Sequence, residues 1–289
     1  MPDVDFSPLY CLLEHLLPFE CLQARFMQQA LAGLLLLTPM TAAMGIQVVN
    51  FRMSFFADAI SHSAFAGVAL GLLLLLDPQW VMPLFGVLVG LAIVLVQRTG
   101  KLSADTVIGV FFSAMVAFGL AVISRERSLA RELQRFLYGD ILTIGDGQIV
   151  ILMGLFAVLM TFQACAYNRL LYIAINPPLA QAHRVRVAVL QYAFAALLAL
   201  VVMFAVQAVG VLLVTALLIV PAAAARKLAR SAGTMFWWAL LISLSSAVAG
   251  LLVSAQDWAQ SATGPTIILV ACCWFTLSMA TAWIRKRWL

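Results

Sequence analysis

Asp58 and His62 stand four residues apart in the stretch Ser54-Phe-Phe-Ala-Asp58-Ala-Ile-Ser61-His62-Ser-Ala-Phe-Ala-Gly67-Val-Ala-Leu-Gly71, whose other residues are apolar or small. On a helix this spacing places both on one face, about 6 Å apart along the axis, so both side chains can address one space. A carboxylate with an imidazole suits Zn²⁺, Mn²⁺ or Fe²⁺ better than Cu(I), which takes thiolate or thioether ligands. One chain supplies two such ligands; two copies meeting at a two-fold axis would bring together two Asp and two His, enough for a tetrahedral site. The same residues also admit a second reading, an internal Asp-His ion pair that orders the structure without meeting a substrate.

The surrounding sequence decides what must hold this pair. Of the 289 residues, 64% are hydrophobic and 10% charged, and the mean hydropathy is +1.05, which excludes an ordinary soluble domain. The apolar residues form continuous runs of about 17 to 25, the length a helix needs to cross roughly 30 Å of hydrocarbon. The expected fold is therefore all-α, a polytopic transmembrane helical bundle, and the absence of in-out alternation argues against a barrel. Nine segments qualify: 29–50, 54–76, 81–97, 105–123, 147–167, 187–206, 208–224, 233–255 and 264–284. The sixth and seventh follow each other almost without a loop, as a tight hairpin or as one span plus a re-entrant piece, which leaves eight or nine spans. Residues 29–284 read as a single transmembrane domain, 1–28 as an extramembrane or interfacial segment and 285–289 as a short basic tail. Asp3, Asp5, Glu14 and Glu20 stand where a cleavable signal would begin with basic residues. Counted from Arg52, His62 lies ten residues in, about 15 Å and close to mid-membrane. A central Asp costs about 2.5–3.5 kcal/mol in lipid, so the pair must face a bundle interior or a wet cavity.

The formal charge of +5 does not point to nucleic acid, because the basic residues flank the apolar runs instead of forming one stripe. With the N-terminus outside, Arg52, Arg98, Lys101, Arg169, Arg184, Arg186, Arg226, Lys227, Arg230, Arg285, Lys286 and Arg287 fall in the cytoplasm, 12 of the 17 Lys and Arg. Arg127, Arg131 and Arg135 repeat every four residues in an outer loop, giving a helix there one basic face. That face fits an acidic docking partner or a surface salt-bridged with Glu126 and Glu132. Ser63, Gly67 and Gly71 form a small-xxx-small stripe for close helix packing. In Asn176-Pro177-Pro178-Leu179-Ala180-Gln181-Ala182-His183, Asn caps a short helix that Pro opens. Such a helix across a membrane mouth takes the push of an attached motor domain, or is an ordinary interfacial connector. Cys11, Cys21, Cys165, Cys272 and Cys273 lack ligand spacing and read as packing residues. No Gly-x-x-x-x-Gly-Lys-Ser/Thr loop occurs, Gly100-Lys101 being followed by Leu102, so an enzyme with its own ATPase site is not expected.

Several stretches together resemble the permeases of the zinc, manganese and iron family of bacterial ABC importers, over Phe26 to Trp283. They are Asp58 to His62 with Gly67 and Gly71, Tyr138-Gly139-Asp140, the Asn176 to Arg186 loop, Gly210 through Pro221 to Arg226, and Gly264-Pro265. The resemblance implies a permease in the bacterial plasma (inner) membrane, working as two copies or as a related pair. It also implies a cytoplasmic ABC ATPase dimer and an extracytoplasmic metal-binding protein as partners, with the divalent ion as cargo and no permanently bound cofactor. Asp58 and His62 match the family's pathway residues, and residues 177–186 its coupling helix, within a coupling segment 176–186. Family members carry a glycine near the position of His183. The competing reading is a proton-coupled secondary metal transporter that uses the same Asp-His pair as its relay.

Overall fold

In lipid every backbone polar group must be satisfied within the segment, so an apolar run that enters the bilayer goes in as a helix. The computed structural model, which describes residues 23–100, 102–124, 141–256, 258–259 and 261–287, has ten helices and no strand among these residues. In chain order they are α1 (Arg25–Asn50), α2 (Phe56–Leu73), α3 (Pro78–Thr99), α4 (Ala104–Ile123), α5 (Asp146–Ile175), α6 (Pro177–Ala182), α7 (Val187–Val209), α8 (Val211–Leu228), α9 (Ala232–Ser254) and α10 (Thr263–Arg287). All but α6 are long, and they coincide one for one with the nine apolar segments. Eight meet the length and composition of a membrane span, and α2, with 18 residues, is about 27 Å long.

The link between the sixth and seventh segments is a single residue. Gly210, at φ 84°, ends α7 and starts α8, a left-handed backbone that favours glycine. Both flanking segments are helical throughout, so neither is an irregular re-entrant piece.

Contacts between helix ends give the order of crossing. At one end Arg25 donates to Asp146 at 2.8 Å, Gln29 donates to the other carboxylate oxygen at 2.8 Å, and Gln207 at the close of α7 donates to the Gln79 carbonyl at 3.2 Å. At the opposite end Arg98 donates to Gln191, Tyr167 donates to the Ala232 carbonyl at 3.0 Å, and Arg226 reaches the Val49 carbonyl at 3.5 Å. Successive long helices therefore run up and down. α5, with 30 residues and thus about 45 Å, outruns the hydrocarbon layer and delivers the chain to α6.

α1 is the central helix, with 78% of its span buried, whereas α4 and α10 are each 17% buried and turn apolar faces outward to lipid or a second subunit. The described cysteines follow the periphery. Cys165, Cys272 and Cys273 are exposed on the protomer, which corrects the reading of them as packing residues: their helices are apolar on every side, so hydropathy alone does not mark the inner face.

Close approach of helices rests on glycine at a few points. A Cβ on Gly45 of α1 would lie 1.9 Å from the Leu218 carbonyl oxygen of α8, so these backbones are nearly in contact. Gly45→Ala is expected to lower the melting temperature of the detergent-purified protein, at a cost of about 1–3 kcal/mol from overpacking. Gly154→Ala, where a Cβ would meet nothing within 4 Å, should leave the melt unchanged or raise it. Equal melts for the two variants would contradict this account of the α1–α8 contact.

Candidate functional site

The turn after α1 sets the start of α2. Arg52 is left-handed at φ 56°; its N–H donates to Val49 O at 3.2 Å, and the Met53 N–H reaches back to Val48 O at 3.0 Å. This pair of bonds is a Schellman ending that satisfies the last carbonyls of α1. Phe56 N–H then donates to Met53 O at 2.9 Å, and α2 begins with Asp58 in its first turn. A carboxylate there lies near the positive end of the helix dipole, which offsets part of the cost of its charge.

Around the pair α2 is closely packed, with Phe56, Ala57, Ala59, Ile60, Ser61, Ser63 and Ala64 fully buried. Ser61 Oγ donates to Ala57 O at 2.8 Å and Ser63 Oγ to Ile60 O at 2.7 Å, so both hydroxyl protons are committed to the helix backbone. On the stripe below, Gly67 and Gly71 lie against α3; a Cβ on them would come within 2.9 Å of Met82 Cα and 3.1 Å of Pro78 Cα.

Asp58 and His62 are half-buried and address different neighbours. The Asp58 carboxylate faces the Thr215 hydroxyl of α8, which donates its proton to the Leu212 carbonyl at 3.3 Å. The His62 ring stands edge-on to Phe112 of α4, with centroids 4.9 Å apart, and to Phe65, at 5.4 Å. Its Nδ1 is buried without a hydrogen-bond partner. Among the described residues no ion pair joins Asp58 to His62, so the internal salt bridge is not formed and both groups keep their capacity to bind. Two aromatic edges hold the imidazole plane without consuming a nitrogen.

Thr215 is the contributor that sequence reasoning passed over. Its only signal was its place as the lone polar residue in Val211 to Pro221. Among the described residues no group of three or more His, Cys, Asp or Glu could hold a metal ion, so one protomer offers a carboxylate, an imidazole and a hydroxyl. Such a set can replace part of a cation's water shell without caging it.

The short helix α6 lies at the end of the bundle where α1 turns into α2. The Asn176 side chain accepts from the Leu179 N–H at 3.2 Å, and Pro177 occupies the opening position. Pro177, Pro178, Leu179, Gln181, Ala182 and His183 are exposed, and Ala180 alone is buried. The helix closes with Arg184 N–H to Gln181 O at 2.9 Å and Val185 N–H to Ala180 O at 3.0 Å, a second Schellman ending with Arg184 left-handed at φ 58°. That left-handed position suits glycine. Arg127, Arg131 and Arg135 fall outside the described residues.

Comparison with known proteins places these features in context. The ABC 3 transport family matches residues 23–282. The chain is 31% identical over 246 residues to the high-affinity zinc uptake system membrane protein ZnuB of Haemophilus influenzae, covering 85% of this chain and 93% of that one. It is 31% identical over 257 residues to the manganese import system permease protein ScaB of Streptococcus gordonii, covering 89% and 91%. Among solved structures it superposes on PsaBC from Streptococcus pneumoniae, determined in complex with Fab, with a TM-score of 0.75, 30% identity and 94% of each chain covered.

The left-handed end of α6 yields a direct test. Arg184→Gly should keep or raise the melting temperature of the purified protein by up to about 1 kcal/mol of relieved strain. Arg184→Val, whose branched Cβ resists this region, should lower it. The reverse order would show that Arg184 does not close the helix in this conformation.

Proposed function

The chain belongs to the ABC 3 transport family, and we propose that it is the membrane-spanning permease subunit of an ATP-driven importer that carries a divalent metal ion, Zn²⁺, Mn²⁺ or Fe²⁺, into the cytoplasm. The observation that carries the choice of cargo is the Asp58–His62 pair. Its carboxylate and imidazole sit within a packed apolar helix, unpaired with each other, with His62 Nδ1 lacking a partner. Relatives named for zinc and for manganese transport agree with the ligand chemistry, which accepts either ion. The proton-coupled alternative gains nothing from the family or from the relatives named above.

In this reading a metal-binding protein delivers the ion at the face where α1 and α5 begin, and the basic face of Arg127, Arg131 and Arg135 meets an acidic surface of that protein. The ion passes Asp58 and His62, trading waters for carboxylate, imidazole and the Thr215 hydroxyl. Moderate affinity is a requirement, because a site that completed the coordination shell would trap its cargo. A second copy of the permease, or a related chain, faces this one across the pathway. Two ATPase subunits press on Pro177, Pro178, Leu179, Ala180, Gln181, Ala182 and His183, and their closure drives alternating access. The excess of Arg and Lys at that end of the bundle supports its assignment to the cytoplasm and the N-terminus to the outside of a bacterial inner membrane.

Total cellular metal, measured by mass spectrometry in cells expressing the complete transporter with wild-type or His62→Ala permease at matched membrane levels, tests the reading. The expected result is a loss of accumulation of one metal by at least about tenfold. Unchanged content of every divalent metal would reduce His62 to a structural residue and overturn its assignment to the pathway.

A further inference from the structure

The buried face of α6 leads by direct contact to the helix that carries Asp58. Ala180 is 1% exposed and packs with Ile173 at the end of α5 and Val187 at the start of α7, and Phe51, Val185 and Leu190 close this cluster. Phe51 is the residue that ends α1. Its ring also leans on Phe194 of α7, with centroids 5.4 Å apart and planes at 55°. From Phe51 the chain makes one tight turn, through left-handed Arg52 and Met53, whose N–H and carbonyl are both hydrogen-bonded, and enters α2 at Phe56. Six residues separate the ring that touches the α6 cluster from the proposed pathway carboxylate. Within this short connection Met53 and Phe56 both belong to the main core.

Two further observations fit a moving part. Arg226, at the end of the helix that presents Thr215 to Asp58, donates to the Val49 carbonyl at 3.5 Å, so both helices that touch the carboxylate are tied to this turn. Beside it lies a partly open cavity of about 200 Å³ bounded by Phe51, Met53, Val94, Phe194 and the polar Gln97, Arg98 and Gln191. The cavity gives the Phe51 ring and the Met53 side chain room to shift as a unit.

We infer that Phe51 is a positioning residue that relays displacement of the coupling helix α6 to α2, so that motor closure moves Asp58 and His62 relative to Thr215 of α8. The inference rests on the permease reading above. Ala180 is the point of entry, the Phe51 ring the lever and the Arg52 turn the rigid link.

The test uses the complete transporter, with its ATPase and metal-delivery protein, reconstituted in liposomes and supplied in turn with Zn²⁺, Mn²⁺ and Fe²⁺. ATP hydrolysis and metal uptake are measured on the same preparation. Phe51→Ala should leave assembly and hydrolysis within about twofold of wild type while metal moved per ATP falls by about fivefold or more, and Phe51→Leu, which keeps the apolar packing and loses the ring, should fall between. If Phe51→Ala does not assemble, Phe51→Leu decides alone: a reduced ratio supports the relay and an unchanged ratio overturns it. A parallel fall of hydrolysis and uptake with the ratio preserved marks Phe51 as a docking support and overturns the relay. A wild-type transporter that hydrolyses ATP and moves none of the three metals removes the proposed function together with the relay. One that moves metal alongside variants of unchanged ratio removes the relay alone.

Discussion

An ionisable pair held at membrane depth is the constraint on which the rest of the structure depends. A carboxylate costs about 2.5–3.5 kcal/mol at the centre of a bilayer, so the helix carrying Asp58 and His62 cannot face lipid on that side. The protein meets this requirement with enclosure. α2 is lined with small or buried side chains from Phe56 to Ala69. α3 approaches it over Gly67 and Gly71, α4 lays Phe112 against the imidazole, and α8 presents Thr215 to the carboxylate. Each neighbour lowers the cost of the pair without cancelling its chemistry, because no described cation pairs with Asp58 and His62 Nδ1 keeps its lone capacity.

α1 makes that enclosure possible. It is the most buried of the eight helices that meet the length and composition of a span, joined to α5 at one end by Arg25, Gln29 and Asp146 and to α8 by the near-contact at Gly45. At its other end the Arg52 turn fixes where α2 starts. A helix so anchored fixes where its successor begins.

Much of this was legible in the sequence, because lipid imposes one structural solution on a long apolar run. All nine segments are helices, and the Asn176-Pro177 start of α6 is capped as its residue types require. The candidate pair was visible because charge is rare in such a chain. Its true surroundings were not. Spacing of four placed Asp58 and His62 on one face, yet it could not say that α8 takes the carboxylate and α4 the imidazole, since both contacts depend on helices more than 40 residues away in sequence. Arg52 and Arg184 hid two helix endings that glycine would have announced. The inner and outer faces of α5 and α10 were equally hidden, because a helix apolar all round has no stripe to read, and the exposed Cys165, Cys272 and Cys273 are the cost of that silence.

The claim that a divalent ion passes this pair is tested most directly by ATP-dependent uptake of radioactive zinc or manganese into proteoliposomes holding the complete transporter, with wild-type permease or Asp58→Ala. Uptake by wild type and a rate lower by at least about tenfold in the variant are expected, with the complex still assembled and hydrolysing ATP. Equal uptake by the two would contradict it, and would place the pathway away from α2.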